Sequence, residues 1–150
     1  MSQITILLVD DHPVFRGGLR DMIETDPAMQ VVGEAANAEV AIEKATELQP
    51  DVMLIDVNLP TESGLQATVK LRKLLPNSKF IIITGYDDID QVYHAVRAGA
   101  SAYCAKDAPP DELLQTIRQV HDGLYVVHNR VMNEQEVREW MIAKLGPDFD

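Results

Sequence analysis

Five polar residues of this 150-residue sequence stand where apolar runs stop, and their types suit one chemistry. Asp10 and Asp11 follow Ile4–Val9, Asp56 follows residues 52–55, Thr84 follows 80–83 and Lys106 follows 101–105. Carboxylates gathered at one place repel and raise one another's pKa unless positive charge sits among them. A hard divalent cation is the natural counter-charge. Mg²⁺ takes oxygen ligands, commonly one or two carboxylates with waters and a phosphoryl oxygen. A carboxylate can also act as nucleophile and carry a phosphoryl group, which makes Asp56 the candidate acceptor. Lys106 would then be a point charge on the incoming group, and Thr84 a hydroxyl donor to one of its oxygens. Chemistry of this kind is mostly positioning and charge neutralisation.

Each residue alone has an ordinary explanation. Paired aspartates favour helix starts, a lone aspartate after a strand caps a turn, and a lone lysine is a surface charge. Their joint placement argues otherwise, and it depends on the elements that carry them. Ile4–Val9 is a continuous apolar run, as expected of a strand buried on both faces. Pro13 opens a helix with Phe15, Leu19, Met22 and Ile23 on one side. Residues 30–34 give a second strand, and helix 39–48 turns Ala41, Ile42, Ala45 and Leu48 inward. Strand 52–55 ends at Asp56. Helix 64–75 carries Leu65, Val69 and Leu75 inward and stops at Pro76-Asn77. After strand 80–83, a helix through Ile89, Val92, Tyr93 and Val96 ends at Gly99, a left-handed cap. Strand 101–105 and helix 110–122 complete the fifth repeat.

Strict β–α alternation predicts an α/β fold, a doubly wound five-stranded parallel sheet in the flavodoxin-like order 2-1-3-4-5. Ligands in such folds bind at the carboxyl ends of the strands, beside the switch point between strands 1 and 3. All five polar residues lie at those ends.

Composition narrows the function. With 13 basic and 24 acidic residues the net charge is −11 and no basic cluster appears. The chain by itself is therefore a poor partner for DNA or RNA. No apolar run reaches the roughly 20 residues of a membrane span. No basic leader precedes the first strand, so no signal peptide is expected. The single cysteine, Cys104, excludes an intrachain disulfide, suits a reducing cytoplasm and reads as a buried structural thiol.

Val9-Asp10-Asp11-His12-Pro13, Ile55-Asp56-Val57-Asn58-Leu59-Pro60 with Gly64, Ile83-Thr84-Gly85, and Tyr103 with Lys106 together resemble the receiver domain of two-component response regulators. The resemblance spans roughly residues 4–122. Asp-His-Pro-Val-Phe-Arg after the first strand looks like the NarL/FixJ subfamily, which has LuxR-type output. It implies a signalling phosphoacceptor rather than an enzyme, assisting only its own phosphotransfer and dephosphorylation. A sensor histidine kinase would phosphorylate Asp56. Asp10, Asp11 and Asp56 would surround Mg²⁺, with Asp11 the main ligand of the acidic pair and the backbone carbonyl of Asn58 a further ligand. Thr84 and Tyr103 would form the switch, the hydroxyl moving toward the phosphoryl group and the ring following inward. Gly85 would keep the approach to Asp56 open, and Asn58 and Tyr86 would flank the site and tune phosphate lifetime. His12 beside two aspartates invites a transition-metal reading, but the resemblance makes it part of the helix-opening turn. Asp107 stands where many receivers have a proline after the lysine, which weakens any expectation of a cis peptide there.

Two other families share parts of this pattern. A flavodoxin-like cofactor binder needs a Ser/Thr/Gly-rich phosphate loop after strand 1, where Asp10-Asp11 would repel a phosphate. A phosphatase of the haloacid dehalogenase type places its acceptor after the first strand, whereas here it follows the third.

Residues 1–123 are expected to form the receiver, and 124–150 a linker with an amphipathic helix at 133–145 carrying Val137, Trp140, Met141 and Leu145. Regulators of this subfamily usually continue into a helix-turn-helix domain, for which about 20 residues are too few. The chain is thus either a receiver-plus-linker fragment of a transcription regulator or a stand-alone regulator, and the fragment is favoured. The expected partners are the kinase and a second copy in a phosphorylation-dependent homodimer. DNA would be reached only through the absent output domain; no membrane is involved, and the expected compartment is the cytoplasm.

Overall fold

Apolar runs with alternating orientation become the strands of one twisted sheet. The computed structural model describes residues 3–85, 89–127 and 130–145. Its first strands, β1 (Ile4–Val9), β2 (Met29–Ala35), β3 (Val52–Asp56), β4 (Lys79–Thr84) and β5 (Ala102–Ala105), are parallel in the order β2-β1-β3-β4-β5. Successive side chains of a strand point to opposite faces, so each run feeds two cores. Ile6, Leu8, Leu54, Ile81 and Ile83 face α1 (Pro13–Ile23) and α5 (Pro110–His121), whose Leu19, Ile23, Leu113 and Ile117 close that layer. Leu7, Val9, Met53, Ile55 and Ile82 face α2 (Ala38–Leu48), α3 (Gly64–Leu74) and α4 (Ile89–Ala98), through Ala41, Ala45, Ala67, Leu71 and Ala95. Gly99 ends α4 at φ 120°, the left-handed cap expected of it.

Among the described residues the sheet has seven strands rather than five. β6 (Tyr125–Val127) pairs parallel to β5 through Ala102 and Val126, and β7 (Arg130–Met132) returns antiparallel to β6. Strands of three residues are too short to show a period, which is why the sequence reads there as linker. Helix α6 (Glu134–Leu145) follows close to the expected span. Asn133 and Glu136 start it reciprocally: the Glu136 amide donates to Asn133 Oδ1 at 2.8 Å, and the Asn133 amide to Glu136 Oε1 at 3.0 Å. Val137 and Met141 are buried with Val92 and Val96 of α4, Val127 and Met132. The side chain of Leu145 lies outside the described residues.

Two inward assignments are overturned. Leu48 is 39% and Val69 41% exposed. The buried face of α3 is built instead from Gly64, Ala67, Thr68 and Leu71, because small residues let the helix sit close to β3.

Candidate functional site

At the carboxyl end of β1 the chain leaves the sheet through Asp10-Asp11 and enters α1 at Pro13, with His12 as its N-cap. The Asp10 carboxylate is buried and accepts the His12 amide (2.8 Å) on Oδ1. From behind, Arg16 of α1 donates to the Asp10 carbonyl at 2.5 Å, and Glu34 of β2 holds Arg16 at 2.9 Å while also pairing with Arg20. At the end of β3, Asp56 is 2% exposed, and its Oδ1 accepts the Asn58 amide at 2.9 Å, which orients the carboxylate. The Val57 amide bonds to the Ile83 carbonyl (3.0 Å) and the Lys106 amide to the Thr84 carbonyl (2.8 Å), so the ends of β3, β4 and β5 are tied edge to edge.

The Lys106 ammonium then lies 2.9 Å from Asp56 Oδ2 and 3.1 Å from Asp10 Oδ2, resting 4.6 Å above the Phe15 ring. His12 joins the cluster: its Nδ1 is 2.9 Å from Asp10 Oδ1, 3.1 Å from Asp11 Oδ1 and 3.7 Å from Asp56 Oδ2. Burial works against the charge on Lys106, but its close contact with and attraction to the Asp56 and Asp10 carboxylates outweigh it and hold its pKa above the ordinary value. Burial likewise pushes Asp10 up, yet the His12 amide and ring and then Lys106 more than offset this, leaving its pKa lowered.

The structure therefore brings Asp10, Asp11, Asp56, the Asn58 backbone and Lys106 to one mouth, with Thr84 buried beside it. Tyr103 pairs in register with Ile82, and Ala105 with Thr84, so Tyr103 and Thr84 are diagonal neighbours on one sheet face. Gly85 is exposed, and a methyl group built on it would meet nothing within 4 Å. Tyr86 lies outside the described residues. Among the described residues there is no cis peptide bond, in keeping with Asp107 after Lys106. Cys104 packs against the core, and burial pushes its thiol up to about 12, so it stays protonated at neutral pH.

The donor set fits a hard cation. Among the described residues Asp11 Oδ1 and Asp56 Oδ2 are buried oxygens that accept no well-aligned hydrogen bond. Lys106 Nζ lies 2.9 Å from Asp56 Oδ2 and His12 Nδ1 3.1 Å from Asp11 Oδ1, close in distance without completing a hydrogen bond. A divalent ion with oxygen ligands would satisfy both.

Sequence reasoning misses four contributors. His12 and Arg16 stand in the Asp-His-Pro-Val-Phe-Arg motif without a role in the site, Glu34 reads as part of a strand, and Gly64 as part of a signature. The available signal is Glu34 itself, a charge inside a strand that needs a cation on the neighbouring helix. Burial would raise the Glu34 pKa, but Arg20 and Arg16 hold it below its ordinary 4.5. Its contribution to stability is therefore full above that value and lost as pH falls through the lower folded value. Thermal unfolding followed from neutral pH downward should show stability declining below about pH 4.5, and the decline should be shallower in Glu34→Gln. Parallel declines would remove this pair from the acid response.

A family model described as the response regulator receiver domain matches residues 6–118. The chain belongs to that family. It is 41% identical over 127 residues to the uncharacterized transcriptional regulatory protein YhcZ of Bacillus subtilis, covering 85% of this chain and 59% of that protein. It is 38% identical over 123 residues to the nitrate/nitrite response regulator NarL of Escherichia coli, covering 82% and 57%. The chain thus spans less than two thirds of the length of these relatives. A LuxR-family two-component response regulator from Aurantimonas superposes with a TM-score of 0.80 at 33% identity, covering 96% of this chain and 99% of that one. The receiver domain of a putative NarL from Mycobacterium tuberculosis gives 0.78 at 29% identity, covering 82% and 99%. This receiver is of the NarL/LuxR type, a signalling module rather than a conventional enzyme. Among the described residues no helix is long and apolar enough to cross a membrane.

Proposed function

We propose that this receiver is a phosphoacceptor switch in which Asp56 takes a phosphoryl group from a sensor histidine kinase. The carrying observation is Asp56 Oδ2, buried, without an aligned hydrogen-bond donor and 2.9 Å from the Lys106 ammonium. The Asn58 amide holds the other oxygen and leaves Oδ2 to attack. In the transfer the P–N bond of the donor phosphoimidazole, protonated on its other ring nitrogen, breaks as a P–O bond to Asp56 forms, so the imidazole departs as the neutral base. Lys106 and the Thr84 hydroxyl meet the phosphoryl oxygens, and Arg16 and Glu34 keep Asp10 in place from behind. Asp10, Asp11, Asp56 and the Asn58 carbonyl would hold Mg²⁺, which when bound neutralises charge between acceptor and phosphoryl group. Gly85 leaves the approach open. Residues 1–123 form the receiver, and 124–150 lead from it.

Thr84 and Tyr103 pass the added charge to the output surface, favouring a homodimer. YhcZ is named a transcriptional regulatory protein, and DNA contact in a regulator of that kind would belong to an output segment outside the matched region. An acidic chain of net charge −11 supports placing it there. The expected compartment is the cytoplasm.

Intact mass after incubation with acetyl phosphate tests the reading. The wild type should gain one phosphoryl group with Mg²⁺ and none with EDTA, and Asp56→Asn should gain none in either. A gain that persists in Asp56→Asn places the acceptor elsewhere.

A further inference from the structure

The face of α4 turned away from the sheet is not bare. Val92 and Val96 point outward from the sheet-facing Ala95, and are nevertheless 0% and 8% exposed. What covers them is the chain's own end: Met132 of β7 and Val137 and Met141 of α6, with Trp140 set against Tyr93 at a ring-centroid distance of 4.7 Å and 41° between planes. Tyr103 packs against two clusters at once, the sheet-side core containing Ile82 and Ala95 and this outer cluster containing Val137 and Met141. It is also the diagonal neighbour of Thr84 on the same sheet face.

We infer that the α4–β5 face is the docking surface of the chain's own β7–α6 segment, and that phosphorylation of Asp56 loosens this docking by drawing the Tyr103 ring off the outer cluster. The inference rests on the proposed phosphoacceptor role of Asp56 and deepens it by naming what the switch releases. The occupant is fixed by continuity: β6 is tied to β5 through Ala102 and Val126, β7 to β6, and Asn133 starts α6 directly afterwards. The coupling follows from position. Tyr103 is shared between two cores, and any inward movement of the ring strengthens its packing in one at the expense of the other. Loosening of the outer cluster exposes Trp140 and Tyr93 together, because they face each other across the seam.

Trp140 is the only tryptophan in the chain, so its emission reports the docking directly. Emission and iodide quenching would be measured on the full chain before and after acetyl phosphate with Mg²⁺, with intact mass taken on the same samples. The expected result is a red shift and easier quenching that rise in step with the phosphorylated fraction. Tyr103→Ala should be red-shifted from the start and show no further change on phosphorylation, whereas Tyr103→Phe, which keeps the ring, should behave as wild type. Mass gain without any change in Trp140 overturns the inference and leaves the phosphoacceptor reading standing. No mass gain removes that reading and this inference with it. A Trp140 emission of the unphosphorylated protein that depends on protein concentration would place the segment on a second copy instead, overturning the assignment within one chain.

Discussion

Lys106→Met is expected to slow phosphorylation of Asp56 by a small phosphodonor about 100-fold, the usual loss when one preorganised charge-stabilising group is removed. The ammonium lies 2.9 Å from the acceptor oxygen and 3.1 Å from Asp10, and no other lysine or arginine side chain among the described residues pairs with either carboxylate. His12 remains nearby, but its ring is 60% exposed and 3.7 Å from Asp56, too wet and too far to replace it. Stability should change as well. Removing one partner of a buried ion pair costs about 3–5 kcal/mol. The Lys106 side chain is 22% exposed, so solvent screening brings the expectation down to about 2 kcal/mol. Because the cost arises from carboxylates left facing one another, added Mg²⁺ should recover part of it. Initial rates of mass gain and urea unfolding with and without Mg²⁺ check both effects. A rate within a few-fold of wild type would show that Lys106 is a structural counter-ion only.

The main sheet and most of the site are legible in the sequence because both are written in local pattern. Leu7, Leu8 and Val9, or Met53, Leu54 and Ile55, are buried on both faces, so the run itself is the signal. Asp56, Thr84 and Lys106 then fall where those runs stop, and the parallel topology gathers strand ends on one side whatever the loops do. What stays hidden depends on neighbours distant in sequence. The stripe of Val137, Trp140 and Met141 announces a helix, but nothing local says that Val92 and Tyr93 will cover it. β7 exposes Arg130 and Val131 and buries Met132, a pattern of three residues that any loop could show. Period alone points Val69 inward. The true face of α3 uses Ala67 and Thr68, whose value is smallness rather than hydrophobicity, and Thr68 spends its hydroxyl on the Gly64 carbonyl at 2.7 Å. The His12 ring reaches over the site because Asp10 accepts its Nδ1–H and Asp11 stands beside it, an outcome of the assembled site and not of the helix start.

Gly64→Ala should be among the most damaging single-methyl changes in the protein, although Gly64 carries no chemistry. A Cβ at this position would lie 2.1 Å from the Asp56 carbonyl oxygen, 2.9 Å from its carbon and 3.0 Å from the Val57 Cα. These are backbone atoms of the strand end that presents the acceptor, so no side chain can swing aside to make room. Relief requires α3 to back away from β3, which breaks the 2.8 Å bond from the Gly64 amide to the Val57 carbonyl. Overpacking of this kind costs about 3 kcal/mol. It also moves the turn in which the Asn58 amide fixes Asp56 Oδ1, so phosphorylation should fall more than the folded fraction alone explains. Gly18 supplies the contrast. It lies in α1, and a methyl there meets nothing within 4 Å, so Gly18→Ala should stabilise the helix by about 0.5–1 kcal/mol through lower backbone entropy in the unfolded chain. Urea unfolding of the two variants, with acetyl phosphate labelling at a denaturant-free baseline, should therefore give opposite signs. If Gly64→Ala unfolds like wild type, α3 does not press on the acceptor loop as the geometry requires, and the support of Asp56 must come from the strand pairing and Lys106 alone.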